Sequence, residues 1–565
     1  MAALTDSKQT ASRRCPSLVM RLSRLGAFHQ SRLSFMRVLT RQLKNQAWRF
    51  EQSAFEIDDK GIGHAVYTAH GPSRSYSLIA FSHDLPDEKR SDRVIADAWD
   101  ATFALFDGVP TRHDIQRLSK NVPYQEAGRL SRSELTLSRA NRSVRLWKHV
   151  VESLAKGRQP DLEEVRKVGY LMRTTAVYGS GKFGAVDRSE IADREECKPP
   201  FQVEMLSVYL IRSFVRDLVQ HVANVKGGDK TIALDPDIAR MLGIGNSTGL
   251  GMAPFILNHP HLFSNWICAR EEALAQVRAL PVITESERLL FENLLQRVML
   301  SAEHWYTDHD GQQLRIAGYR DDLQVVKEYL NENPLGENNS WDHLYRFVES
   351  NLSLEGQECI VSLMLEPYGR LIDGFVTCMS SEMTKVAVID GAMSVAEIRL
   401  KIHETYAWAR SLDWQSSDAN ARAWYVSEEK LEPRLGERHE EPVADYEQPL
   451  APARDAIRLY DALKLLDEDT RIAEFLLEHP EHRASVRRVQ QVSTLPYGEI
   501  RDNTIDKSLL PIDMLRCKLS FFGAIHFDPR SDRWVRIRMF ADAPYPEELD
   551  QEDAEFWPYP VLDRH

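Results

Sequence analysis

Cysteine is scarce, with six residues in 565, and no two of them stand as Cys-x-x-Cys. Cys15, Cys197, Cys268, Cys359, Cys378 and Cys517 are scattered, mostly in apolar contexts such as Trp266-Ile267-Cys268. That distribution excludes a zinc or iron–sulfur site built on cysteine spacing and argues against a disulfide framework; it fits buried thiols in a reducing compartment. Long hydrophobic runs are also missing. None approaches the roughly 20 residues that span a bilayer, and there is no secretory apolar stretch, so a soluble, cytoplasmic protein without a membrane partner is expected. Gly-x-Ser-x-Gly, His-Glu-x-x-His and the EF-hand loop are absent as motifs. Positive charge is not in excess: Lys and Arg number 71 against 84 Asp and Glu, for a net charge of −13. Wholesale binding to nucleic acid is therefore not expected.

What the chain does contain is ordinary globular composition, 43% hydrophobic and 27% charged, with eleven Trp. The length suits two to four domains. One local exception to the charge balance stands at the start. Residues 1–50 carry ten Lys or Arg and one acid, Asp6. Such a segment resembles an organellar transit peptide. Leu33, Met36, Val38 and Leu39 instead read as folded structure, so a basic helix over 20–50 on the domain surface is the preferred reading.

Period-2 alternation marks strands at Ala65–Thr68 and Tyr76–Phe81, with His70-Gly71-Pro72-Ser73 as the turn between them. Residues 92–107, 133–157 and 163–177 read as helical. The stretch 201–223 is the clearest core element: Val203, Met205, Leu206, Val208, Tyr209, Leu210 and Ile211 are apolar almost all round a helix. Its second half opens into Arg212, Arg216, Asp217, Gln220 and His221, which suggests a surface or cleft there. Helices are expected at 235–242, 255–280, 284–305 and through 320–415. Residues 424–450 are acidic and proline-containing, a solvated connection. Phe521–Phe527 and Trp534–Phe540 flank Asp528-Pro529-Arg530-Ser531-Asp532, which is a hairpin pattern; His526 within it is a core histidine. The tail after 541 is expected to lie unstructured on the surface. The fold class is thus α+β, predominantly helical, with small antiparallel elements near the N-terminus and a C-terminal β-hairpin. The division is 1–130, 131–315 and 316–565.

The richest local signal is Gly243-Ile-Gly-Asn-Ser-Thr-Gly-Leu-Gly251, followed by Pro254. Flexible backbone donors and two hydroxyls ahead of a helix N-terminus, where Pro254 suits the first turn, make an anion site. The Gly245-x-x-x-Gly249-x-Gly251 spacing also occurs in short-chain dehydrogenases, and Tyr178-x-x-x-Lys182 has the spacing of their catalytic pair. That match fails, because the dinucleotide fingerprint needs a strand directly before it, and Asp235–Leu242 reads as helix. Tyr178-Gly-Ser-Gly-Lys182-Phe-Gly184 is similar to a P-loop and lacks its first glycine and its Ser or Thr after the lysine. His259-x-His261 could supply a metal pair or a general base; the parallel stretch Phe475–His482 suggests a helix stop before proline instead. His304 and Asp308 share a helical face at a polar helix end.

These residues favour a soluble enzyme acting on a small anionic molecule that bears phosphate or carboxylate. Gly245, Asn246, Ser247, Thr248, Gly249 and Gly251 would bind it. Arg173 and Lys182 would supply counter-charge, and His259, Tyr178 or Lys182 would carry out the chemistry. The reaction and any cofactor are unknown, no metal is assigned, and a homo-oligomer is compatible with the sequence. The alternative is a non-catalytic helical scaffold or regulatory interaction protein, because glycine-rich segments also serve close packing.

Overall fold

In the computed structural model the described residues are 12–85, 98–123, 131–174, 191, 193–249, 259–307, 310–336, 340–379, 389–414, 424–426, 433–435, 445–447, 451–501, 513–524, 534–551 and 554–559. They fall into two units. One holds Ser34–Thr248, Phe522–Ile525 and Arg536–His565; the other holds Met1–Leu33, Gly249–Phe521 and His526–Val535.

The first unit is built on a sheet. Its strands are β1 (Arg49–Ile57), β2 (Gly63–His70), β3 (Ser75–Ser82), β4 (Ala101–Asp107), β5 (Glu134–Arg142), β6 (Tyr170–Thr174) and β7 (Gly243–Gly249). Three short strands, β8 (Trp424–Val426), β9 (Pro433–Leu435) and β10 (Asp445–Glu447), pair separately in the other unit. The last, β11 (Trp534–Met539), joins the large sheet, whose order is β1-β2-β3-β4-β5-β6-β7-β11. From β1 to β6 every neighbour is antiparallel; β6 and β7 are parallel.

Side chains alternate faces along each strand, and both faces are apolar. Tyr67 and Phe103 meet Phe214 of the helix Gln202–Gly227 on one side. Val66, Ile79, Ala104, Phe106 and Leu137 cluster on the other with Leu118 and Val122. Thr111 caps the short helix Arg112–Ser119 over that second face, in a reciprocal box with Asp114. The long helix is the connection a parallel β6–β7 pair requires. Leu206, in its apolar first half, is 4% exposed. Leu206→Ala is expected to leave a cavity and cost about 2–5 kcal/mol in urea unfolding; a loss below about 1 kcal/mol would show that this helix is not central.

The structure departs from the expected fold class. The chain is mainly helical, yet eight of its strands form one mixed sheet drawn from both ends of the chain, not small N-terminal elements plus a hairpin. The 65–81 hairpin is present. Residues 101–107 and 134–142, read as helix, are strands: Thr102, Phe103 and Phe106, and Thr136 between Leu135 and Leu137, suit a pleated surface better than a helix. Residues 163–177 divide into the helix Leu162–Val168 and strand β6, because Gly169 takes φ +73° as a left-handed cap. The C-terminal hairpin does not form. Asp513–Phe522 is helical, with Met514, Leu515 and Leu519 buried, and only Trp534–Met539 is a strand. His526 lies outside the described residues. The tail is not a surface strand of chain either: Tyr545, Trp557 and Tyr559 are buried, and Trp557 donates to Thr40 Oγ1 at 3.4 Å.

The second unit is helical. Its helices include Pro260–Arg278, Glu285–Glu303, Asp310–Glu332, Ser340–Asn351 and Leu354–Leu365. Another apolar cluster joins Val395–Thr405, Ala451–Leu463 and Arg483–Val492. The basic start of the chain is not a surface helix. It breaks into Pro16–Val19, Leu22–Gly26 and Phe35–Asn45, the last within the sheet unit. Arg14 and Arg24 are buried in the helical unit against Glu271 and Glu358. Carboxylates absorb the positive charge that made this segment look surface-exposed. No helix among the described residues is long and apolar enough to cross a membrane.

Candidate functional site

The described part of the glycine-rich stretch is not a loop. Gly243–Gly249 is strand β7, parallel to β6, with Arg173 in register with Gly245. Two of its glycines have packing reasons. A Cβ on Gly245 would lie 2.6 Å from the Tyr170 ring, and one on Gly243 would lie 2.6 Å from the carbonyl oxygen of Met539. Bulkier residues would push neighbouring backbone and ring away, so close packing accounts for glycine at both positions. Asn246 is 2% exposed. Ser247, Thr248 and Gly249 continue the strand. Gly251 and Pro254 lie outside the described residues, as do Tyr178 and Lys182.

The register places Arg173 more informatively than its sequence neighbours do. Directly paired residues share a face. Arg173 pairs with Asn141, and β6 ends at Thr174, opposite Ala140. Arg139 is therefore the first residue of β5 beyond the end of β6. Arg139 and Asn141, two apart, lie on the same face. Arg139 is opposite Thr102, which is opposite Phe81. His83, two beyond Phe81, brings its Nε2 to 3.1 Å from Thr102 Oγ1. One face of the sheet thus carries Arg173, Asn141, Arg139, Thr102 and His83 in adjacent strands, just above the apolar layer of Leu137, Ala104 and Ile79.

The cluster is partly buried. Burial lowers the pKa of the Arg139 guanidinium, which stacks over Trp99 at 4.1 Å. Burial also lowers His83, against an opposing pull from the carboxylate of Asp100. That burial favours the neutral imidazole, the form that accepts a proton. Asp100 itself is fully buried, its Oδ2 accepting from the Arg142 amide at 2.9 Å. Asn141 is structural: its Oδ1 accepts from the Asp100 amide and its Nδ2 donates to Ala98. Two guanidiniums, a hydroxyl and a neutral imidazole on one face can hold an oxyanion and exchange a proton with it.

His83, Thr102 and Arg139 were not read from the sequence as site residues. Arg139 was hidden inside a stretch taken for helix. The alternation Leu135-Thr136-Leu137-Ser138-Arg139 was the available signal. His259 is elsewhere: it precedes Pro260 as the N-cap of Pro260–Arg278, in the helical unit. Its backbone (φ −123°, ψ 58°) nearly repeats that of His479 (φ −123°, ψ 64°) before Pro480. Both are the restricted conformations that a following proline imposes. His304 caps the end of Glu285–Glu303, and Asp308 lies outside the described residues.

Arg212 is fully buried, not open to a cleft as its polarity suggested. It donates to the carbonyls of Leu242, Arg240 and Ala543. A recess beside it, lined by Leu171, Val215, Gly243 and Tyr545 among others, has a volume of only about 10 Å³, far below the roughly 300–1,000 Å³ of small-molecule pockets. No group of three or more metal-ligating side chains occurs among the described residues. No protein-family model matches the chain, and no curated protein or solved structure is similar to it.

Proposed function

We propose that this protein is a cytoplasmic enzyme that binds a small anionic metabolite, bearing phosphate or carboxylate, at the carboxyl ends of β6 and β7. The observation that carries this reading is the parallel pairing of those strands. It sets Arg173 beside Gly245 and sends the chain out of both strands in the same direction. In open parallel sheets, ligands sit outside the carboxyl ends of the strands. Here β6 and β7 form a parallel pair, β6 being antiparallel to β5. Both glycine-containing sequences, Tyr178–Gly184 and Gly243–Gly251, stand in the chain at or just past these strand ends. Ser247, Thr248 and Lys182 belong to the proposal through that position. No reaction is assigned.

Phosphate should then raise the melting temperature, because a ligand of the native state stabilises it by mass action. Chloride at matched ionic strength is the control. Arg173→Met should remove most of the gain, and Ser247→Ala part of it, about 0.5–1.5 kcal/mol for a neutral hydrogen bond and more for one to a charged group. Equal responses of wild type and both variants would leave the stretch as a packing element. The second reading, a scaffold without chemistry, is favoured by the close contacts that account for Gly243 and Gly245 without any ligand.

A further inference from the structure

We infer that the helical unit binds a small monovalent anion of the halide class, fully buried, at the indole N–H of Trp266 and the Nε–H of Arg270. The site uses no residue of the sheet unit.

Two donors carry the argument. Trp266 and Arg270 stand one turn apart on the helix Pro260–Arg278, and side chains four apart are neighbours on one helix face. Both are 0% exposed. Both meet the same ring: Phe28 lies 6.0 Å from the Trp266 ring, and the Arg270 guanidinium lies 4.1 Å over it. The terminal nitrogens of Arg270 are in use, one on Glu358 at 2.7 Å and the other on Glu271 at 3.3 Å. Its Nε–H has no acceptor among the described residues, and neither has the Nε1–H of Trp266. A buried donor left unmade is costly, more so on a charged group. Buried indoles usually find a partner. Two such donors side by side call for a shared acceptor.

Charge decides which kind. Arg14, Arg24 and Arg270 meet Glu271 and Glu358 in one group, and all five are at least nine-tenths buried. Three guanidiniums against two carboxylates leave one positive charge. Glu355, one turn from Glu358, does not cancel it, because Glu355 and Asp513 are matched by Arg315 and Arg516. A buried charge without a counter-ion is strongly unfavourable. One monovalent anion beside Arg270 brings the group to zero, whereas a water would satisfy the donors and leave the charge.

Cys517 does not supply that charge. It stands one turn before Phe521, whose ring meets Trp266 edge-on at 5.0 Å. Arg270 pulls its thiol toward ionisation, and burial pushes harder the other way. It remains a thiol, a weak donor. A halide accepts N–H bonds from any direction and has no hydrogens of its own to place between the rings of Phe28 and Phe521. Phosphate at neutral pH carries more charge than the group lacks and more oxygens than two N–H groups satisfy.

Bromide is the probe, because it replaces chloride and scatters anomalously. Crystals of the whole protein soaked in sodium bromide are expected to show an anomalous peak within hydrogen-bond reach of Trp266 Nε1 and Arg270 Nε. In solution, protein dialysed into gluconate should melt at a higher temperature as bromide or chloride replaces gluconate at constant ionic strength, because a ligand of the native state stabilises it by mass action. Trp266→Phe keeps an aromatic ring and removes the N–H, and Arg270→Lys keeps the charge and removes the Nε–H. Each should weaken halide binding about tenfold or more, the worth of a hydrogen bond to a charged group. A peak without anomalous signal at that place is a water and overturns the inference. So does a wild-type melting temperature that ignores halide, or an equal halide response in wild type and Trp266→Phe. If neither variant folds, the anomalous map of the wild type decides alone.

Discussion

Glu358→Ala is expected to destabilise the helical unit by about 3–5 kcal/mol, the usual cost of removing one partner from a buried ionic group. The carboxylate is fully buried and accepts from three guanidiniums: Arg14 at 2.7 Å, Arg24 at 2.6 Å and Arg270 at 2.7 Å. Arg14 also forks onto Glu271 at 2.7 and 2.6 Å. Without Glu358, Arg14 and Arg270 are left to share the single carboxylate of Glu271, and Arg24 keeps only the amide oxygen of Gln357. Burial alone would raise the Glu358 carboxyl, but Arg14, Arg270 and Arg24 outweigh it and hold it well below the usual carboxylate range. The folded pKa is thus depressed relative to an unfolded value of about 4.3. The stability this contributes is present above about pH 4.3 and is lost as pH falls through the depressed value. Glu358→Gln keeps the volume and removes the charge. Urea unfolding across pH should show it well below wild type at neutrality, with the gap narrowing in acid. A gap that is constant from neutrality down into strong acid would show that no ionised carboxylate holds these arginines, and a Glu358→Ala loss under about 1 kcal/mol would overturn the account of the core.

Arg212→Ala is expected to cost about as much in the sheet unit, on the order of 3–5 kcal/mol. The side chain projects from the long helix and donates to Leu242 at 3.0 Å, Arg240 at 3.0 Å and Ala543 at 2.8 Å. These carbonyls belong to the approach to β7 and to the C-terminal segment. An unsatisfied buried acceptor costs about 1–3 kcal/mol, and water can reach the Arg240 carbonyl more readily than the other two. The guanidinium also lies 3.9 Å over the Tyr545 ring. Arg212→Lys should not rescue, because a point charge on a flexible stem lacks the planar fork that reaches three acceptors at once. Thermal unfolding tests this. If the lysine protein is as stable as wild type, the three carbonyls are not what Arg212 is there for.

Much of the local structure was legible in the chain. The apolar run Val203–Ile211 specified a buried helix, because no solvated face remains when apolar residues surround the axis. The alternation around Tyr67 and Leu78 specified two strands and the turn between them. Proline after His479 specified a helix stop. Helices were expected from 163 and from 284, and the structure starts them there, capped by Asp161 and Thr284. What the sequence could not determine was pairing. β6 and β7 are separated by the whole long helix, and β11 follows β7 by nearly three hundred residues. Short apolar runs such as Ala101–Leu105 have the same composition in a helix or a strand, and only the neighbour that fills their hydrogen bonds decides between them. The site depended on the same decision. Arg139, Arg173 and Thr102 come from three strands and His83 from the residue that follows β3, and their sharing a face is a fact of register that no local pattern encodes. The burial of Arg14 and Arg212 is of this kind too: a guanidinium enters a core only where distant carboxylates or carbonyls meet it, and those partners are brought together by the tertiary fold alone.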